Sequence, residues 1–205
     1  MPCYSWSIPA ENCKVGSMLR ALAKTRGIPT TCGSCYALKG RYVFPNVRAR
    51  LRLRLEAYNA CPEAWAAAMI ETLRVLGASR SARTRERARF FRFFDSGDIQ
   101  SAEMLAMIVH IARALPHVHF WIPTRERGIV LAYLRDNGPF PENMTVRLSA
   151  PIIGKPMPGL PGNPYTSTVS AHVGRACPAP QQSNTCGDCR ACWSRDIENV
   201  DYHKH

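Results

Sequence analysis

Nothing in this sequence is apolar for long enough to cross a bilayer: no run reaches the roughly 18 residues that a membrane-spanning helix needs. The opening Met-Pro-Cys-Tyr-Ser-Trp-Ser lacks a basic segment followed by an apolar one, so no signal peptide is expected. Acidic residues are scarce, 15 against 27 lysines and arginines, which leaves a net charge of +12. The cysteines lack an even count, and nine cannot all pair. These absences argue against a membrane protein and against a disulfide-stapled secreted one. They point to a reducing cytoplasm, where closely spaced cysteines act as ligands in preference to disulfides. No internal repeat stands out, and the four tryptophans form no base-stacking pattern. A length of 205 residues suits one well-filled domain with little left over.

Seven of the nine cysteines fall into two clusters. Cys13, Cys32 and Cys35 lie near the start; Cys177, Cys186, Cys189 and Cys192 lie near the end, the last three as an unbroken C-x-x-C-x-x-C. Two-residue gaps bring thiolates onto one small centre, and thiolates select zinc or iron–sulfur clusters. The closing run has the spacing of a four-thiolate iron–sulfur site and suits zinc less well, since zinc takes two separate C-x-x-C pairs. Such a closed set would serve structure or electron transfer and would staple a tail that has little regular apolar spacing. The opening set leaves three alternatives. It could hold a [4Fe–4S] cluster with one iron open to substrate. It could be completed by a ligand from the C-terminal set, giving one cluster in place of two. Or zinc could be held by Cys32, Cys35 and two C-terminal cysteines. Cys3 and Cys61 have no spacing partner and read as buried, small apolar side chains.

Hydropathy patterning predicts a mixed α/β fold. Strands are expected at Tyr4–Ile8, Phe90–Phe94, His117–Ile122, Met144–Leu148 and Thr166–Ser170. Helices are expected around Ser17–Thr25, over Val47–Asn59 where Val47, Leu51, Leu55 and Tyr58 recur at helical spacing, from Pro62 to Leu76 before Gly77, and over Ser101–Leu115 and Ile129–Asp136. Strands alternating with helices imply parallel βα units. About five strands are too few for a closed eight-unit barrel, so the expectation is a partial, open βα barrel over residues 1–174. The Pro- and Gly-rich stretch 151–164 would be a long loop. Residues 175–205 would be an irregular, cysteine-rich tail packed on the same domain.

In parallel βα folds functional groups collect where strands end. Those positions hold Asp95, Ser96 and Asp98, then Thr124, Arg125 and Glu126, then Ser149 and finally His172. Helix capping accounts for one or two of them but not readily for all. Asp95 or Asp98 would orient a cationic or hydroxyl-bearing group, and Arg125 an anionic one. His110, His117 and His119 read as structural, and His203 and His205 offer only a weak metal role in the tail. Two basic stretches remain: Arg48, Arg50, Arg52 and Arg54, with Arg41 nearby, and Arg80, Arg83, Arg85, Arg87 and Arg89, flanked by Arg74 and Arg92. Either they cover nucleic-acid phosphates or they are solvated helix faces on a basic protein.

The runs Ser5-Trp6-Ser7-Ile8-Pro9-Ala10, Cys13, Cys32-Gly33-Ser34-Cys35-Tyr36-Ala37, Phe93-Phe94-Asp95-Ser96-Gly97-Asp98, Phe120-Trp121-Ile122-Pro123-Thr124-Arg125 and Cys186-Gly187-Asp188-Cys189-Arg190-Ala191-Cys192-Trp193 resemble, in this order, a bacteriophage family called gene product 88-like. The resemblance implies a viral or prophage origin, hence a host-cell cytoplasm, and an iron–sulfur protein. More distantly the chain is similar to the radical S-adenosylmethionine enzymes. In those, three cysteines after the first strand hold a [4Fe–4S] cluster whose fourth iron meets the cofactor. Cys13, Cys32 and Cys35 would match those three, and Asp95–Asp98 ends the strand where such enzymes bind the cofactor's methionine end. The sequence departs from that pattern in two ways: eighteen residues separate Cys13 from Cys32, and the usual glycine-rich run after the second strand is missing. The expected function is therefore a phage-type iron–sulfur protein with radical or redox chemistry if it is an enzyme, S-adenosylmethionine as a cofactor and an electron donor as a partner. The alternative is a non-catalytic nucleic-acid-binding protein with a structural zinc or iron–sulfur site.

Overall fold

Short β-rich runs separated by helices assemble into one seven-stranded sheet in the computed structural model, which describes residues 2–204. The strands are β1 (Tyr4–Trp6), β2 (Phe90–Phe93), β3 (His119–Thr124), β4 (Met144–Ser149), β5 (Thr166–Val169), β6 (Arg175–Ala176) and β7 (Asn199–Tyr202). They lie in the order β1-β2-β3-β4-β5-β7-β6, every neighbouring pair is parallel, and the sheet stays open. A partial, open βα barrel describes it. The strand count exceeds the five expected because the tail, expected to be irregular, supplies two more. Neither announces itself: Arg175–Ala176 is two exposed residues, and Asn-Val-Asp-Tyr buries only Val200. Among the described residues no helix is long and apolar enough to cross a membrane.

Helices α1 (Lys14–Arg26), α2 (Pro45–Ala60), α3 (Pro62–Gly77), α4 (Ala82–Ala88), α5 (Ala102–Ala114) and α6 (Arg127–Asn137) follow from local chemistry. Pro45 and Pro62 open α2 and α3, where a missing N–H costs nothing. The Ser101 hydroxyl caps α5 by accepting from the Met104 N–H at 3.1 Å. Gly27, at φ 64°, ends α1 in the left-handed conformation. The Arg-Leu alternation over 50–55 resolves as helix, with Leu51 and Tyr58 buried.

The two faces of the sheet differ. Phe91, Phe93, Phe120, Ile122, Met144, Val146 and Leu148 alternate along three adjacent strands and pack with α3, α5 and α6 into the main core. The residues between them, Arg92, Trp121, Thr145, Arg147 and Ser149, point the other way. That second face is covered in part by the tail. Trp193 packs edge-to-face on Trp121, with ring centroids 5.2 Å apart, and donates its indole N–H to the Phe91 carbonyl at 2.9 Å.

Arg147 fastens this cover. It is completely buried and no carboxylate pairs with it among the described residues. Its guanidinium donates instead to five carbonyls: Cys192 at 3.0 Å, Ala191 at 3.0 Å, Ser194 at 2.7 Å, Glu198 at 3.1 Å and Thr166 at 3.3 Å. Burial pushes its pKa down, but the carbonyl oxygens replace the lost water around the cation. Arg147→Met would leave those acceptors dry and unpaired. We expect it to lower the unfolding free energy by on the order of 3 kcal/mol in a urea titration, and to open residues 177–198 to proteolysis. An unchanged midpoint and digestion pattern would show that the tail is held elsewhere.

Candidate active site and thiol centres

Where the parallel strands end, the uncovered part of the second face forms a cavity of about 410 Å³. Cys13, Cys32 and Cys35 line it, opposite Asp95 and beside Arg125. Two devices deliver these cysteines. Cys13 is the N-cap residue of α1, and the start of that helix is fixed from the end of β3: buried Glu126 accepts the Val15 N–H at 3.1 Å. Cys32 and Cys35 sit on a loop tied to the strand ends, through Thr31, whose N–H donates to the Pro151 carbonyl at 2.9 Å. Gly16 makes room between them, since a Cβ there would stand 2.8 Å from Cys13 Cβ and 3.6 Å from Cys32 Sγ.

The turn after β2 is the most constrained part of the rim. Phe94 adopts φ 62°, rare for a bulky side chain, and Gly97 lies so close to β1 that a Cβ would meet Ile8 Cγ1 at 2.2 Å. Ser96 exchanges two hydrogen bonds with Ile8, through its hydroxyl at 3.0 Å and its carbonyl at 3.1 Å. Buried Asp98 joins β2 to β3: it accepts from the Thr124 hydroxyl at 2.6 Å, the Arg125 N–H at 2.9 Å and the Ile99 N–H at 2.8 Å. Asp95 is gripped by two tyrosines, with Tyr42 donating to its Oδ2 at 2.9 Å and Tyr36 to its carbonyl.

Of the residues expected at the strand ends, Asp95, Ser96, Asp98, Arg125 and Ser149 line the cavity; Thr124, Glu126 and His172 do not. Thr124 is in register with Leu148 and belongs to the helix-facing row, so its hydroxyl serves Asp98 while Pro123 and Arg125 face the mouth. His172 lies beyond the end of β5 at φ 56°, exposed, its N–H held by Asp201 at 2.9 Å. His203 lines the mouth, and His205 falls outside the described residues. Sequence spacing gave no hint of Gly16, Arg20 or Tyr202. Arg92 and Tyr36 were visible within motifs but not as cavity residues.

Cys177, Cys186, Cys189 and Cys192 form a second group away from the mouth, with Cys177 within electrostatic reach of the other three. Cys3, buried as expected, also approaches Cys186. Cys61, expected to be buried, is exposed at the junction of α2 and α3. Tyr202 stands at the boundary: it lines the mouth, and its hydroxyl is 3.1 Å from Cys192 Sγ. All nine cysteines are free, and among the described residues no three His, Cys, Asp or Glu side chains close on one point as ligands of a single metal ion. Burial raises the pKa of Cys3, Cys13, Cys32, Cys177 and Cys192. Burial first, then Asp98, Cys32 and Cys35, pushes Cys13 up to about 12, and burial pushes Cys192 up to about 11. Cys32 is raised by burial, though Arg125 opposes the shift.

The basic stretches are mixed in character. Arg50, Arg52, Arg80, Arg83, Arg85 and Arg89 are exposed on or beside α2 and α4. Arg48 pairs with Glu11 at 3.1 Å, and half-buried Arg87 lies over the Tyr4 ring and donates to the Cys3 carbonyl.

The sequence model described as Gene product 88 matches residues 3–157. The chain belongs to the gene product 88 family. The family match takes in β1 to β4 and the three mouth cysteines and stops short of the four tail cysteines. No curated protein and no solved structure matches the chain.

Asp98 gives this site a pH signature. Burial raises its pKa from 3.8 to about 6 against the pull of its three donors. Between those values the folded chain keeps a proton that the unfolded chain has released, so stability falls as pH rises. For the metal-free protein we expect a loss on the order of 3 kcal/mol, complete above the folded pKa. Asp98→Asn should flatten that slope while costing about 1 kcal/mol for the lost Arg125 bond. Urea titrations at pH 4, 5, 6 and 7 measure both, and equal slopes in the two proteins would refute the assignment.

Proposed function

We propose that the chain is an iron–sulfur protein of a phage family, with its reactive centre at the mouth. The observation that carries this is the meeting of Cys13, Cys32 and Cys35, from two separate segments, at the strand-end cavity beside a glycine whose missing side chain leaves room between two of them. Three thiolates would hold a [4Fe–4S] cluster and leave one iron for a ligand in the cavity, supplying one-electron chemistry there. S-adenosylmethionine is the cofactor that the more distant resemblance implies for that iron. Cys177, Cys186, Cys189 and Cys192 would hold a second, fully ligated centre, and the alternative metal for either is zinc. An electron donor would then be a partner, and a reducing cytoplasm, the host's for a phage protein, would be its location.

The residues of the chain have their own parts in this. Glu126 holds α1 and with it Cys13. Asp98 and Thr124 lock two strand ends together. Tyr42 keeps the Asp95 carboxylate oriented, and Arg125 presents a cation beside Cys32. Ligation must displace thiol protons, so metal uptake should grow stronger with rising pH. A second reading rests on the exposed arginines of α2 and α4: the protein binds nucleic acid and its thiol centres are structural.

Anaerobic purification with iron, sulfide and zinc analysis separates the two. The iron–sulfur reading expects a brown protein with about four irons and four sulfides per cluster. It also expects Cys32→Ser and Cys186→Ser each to remove one cluster's share of the iron. A colourless, zinc-only protein that binds DNA or RNA with steep salt dependence, lost in an Arg83→Gln, Arg85→Gln double variant, would establish the second.

A further inference from the structure

Two guanidinium groups of the mouth, those of Arg20 and Arg125, stand beside Cys32 on a wall that also holds Asp95 and Asp98. Asp98 is committed to three donors, and Asp95 is held by Tyr42. Arg20 and Arg125 have no ion-pair partner among the described residues. Both guanidinium groups are half-buried and both press on Cys32, lowering its thiol pKa against burial. Arg20 Nη1 lies 3.7 Å from the point where a Gly16 Cβ would stand, and that same point is 3.6 Å from Cys32 Sγ.

The remaining contacts of these arginines orient them without satisfying them. Arg20 donates through Nη2 to the Ser17 hydroxyl at 2.6 Å. Arg125 donates through Nε and Nη2 to the Thr31 hydroxyl at 3.1 and 2.9 Å. The Nη1 group of each makes no hydrogen bond among the described residues. Two half-buried guanidinium groups, each anchored on one side with a free N–H on the other, converge beside one cysteine. An arginine fork matches the planar or tetrahedral oxygens of an anion, and desolvation makes such a pair strong.

We propose that the mouth takes a small molecule bearing a phosphoryl group, with the phosphoryl oxygens received by Arg20 and Arg125 beside Cys32. Two guanidinium groups, each with an unbonded Nη1 and no carboxylate partner among the described residues, suit a dianion over a monocarboxylate. The remaining cavity walls, Trp121, Phe94 and Tyr36, would meet the apolar part of the ligand. The proposal names the substrate class of the site described above, but it stands on the guanidinium groups and needs no cluster, so the two readings fail separately.

Calorimetric titration of the metal-free full chain with inorganic phosphate, pyrophosphate and acetate tests it. Phosphate and pyrophosphate should bind and acetate should not. Arg125→Gln and Arg20→Gln should each weaken pyrophosphate binding about tenfold or more, whereas an Arg83→Gln, Arg85→Gln double variant should bind as the parent does. Arg125→Gln keeps the backbone N–H that serves Asp98, and Arg125→Lys, which retains charge without the fork, should recover only part of the loss. Bound pyrophosphate should also slow alkylation of Cys32 and leave Cys61 unprotected. No binding, binding lost only in the α4 variant, or binding abolished when the thiols are loaded with iron and sulfide would each overturn the proposal. The last result would assign both arginines to the charge of the cluster itself.

Discussion

Arg147 is the interaction on which the two halves of this protein depend. A buried cation with no counter-ion is unfavourable unless its hydration is replaced in full, and here five backbone carbonyls replace it. Four of them come from residues 191–198, a segment that forms neither helix nor strand. The guanidinium therefore does for the tail what a hydrophobic stripe does for α5: it makes one docking geometry far better than any other. Because the same carbonyl ladder includes Cys192, the position of the tail thiols is set from the centre of the sheet. Thr145 and Trp193 reinforce the link, the threonine hydroxyl donating to the Trp193 carbonyl at 2.7 Å.

The covering tail also determines where chemistry can occur. An open parallel sheet with helices on one side would expose its entire second face to water. Trp193 and the Arg147 network close part of that face, and what is left is the strand-end cavity. Its rim is then made rigid by bonds between consecutive strand ends: Ser96 to Ile8, Asp98 to Thr124, Ser167 to Ser149 at 3.1 Å. Phe94 and Gly97 hold backbone conformations that only such over-determined surroundings sustain. These polar residues at the mouth act first as cross-links, which frees Arg20 and Arg125 to face whatever enters.

Five of the six helices and the strands β1 to β5 were legible in the sequence because each has its own period and its own stop signal; α4, a short run of arginines and small residues, was not. Phe90–Phe94, His117–Ile122 and Met144–Leu148 came within two residues of β2, β3 and β4. β6 and β7 were not legible, since a two-residue strand and a four-residue polar one, held to β5 by hydrogen bonds of Asn199 and Asp201 to Thr166 and Thr168, leave no apolar alternation. The strand-end rule gathered Asp95, Asp98, Arg125 and Ser149 into one cavity, yet it misassigned Thr124 by a single residue of register. His172 failed for a different reason, as the chain turns sharply after β5 and carries it out of the mouth. Arg147 looked like any arginine in a strand. What marks it is its lack of a carboxylate partner in three dimensions, which no spacing encodes.

Two thiol groups on opposite sides of one residue give the architecture its final constraint. Tyr202 touches Cys192 with its hydroxyl and also lines the mouth, and Arg92 lies near both it and Asp95, stacked 4.5 Å over Trp121. Burial pushes the Cys13 thiol up to about 12 and the Cys192 thiol up to about 11, so without metal these two are neutral at ordinary pH. Thiolate formation on ligation would change both sides at once, bringing negative charge to Cys192 beneath Arg147 and to Cys32 beside Arg125. The fold thus sets guanidinium groups beside both sets of thiols. Arg147 is satisfied by five carbonyls. Arg20 and Arg125 have no such substitute, since the Nη1 of each makes no hydrogen bond among the described residues.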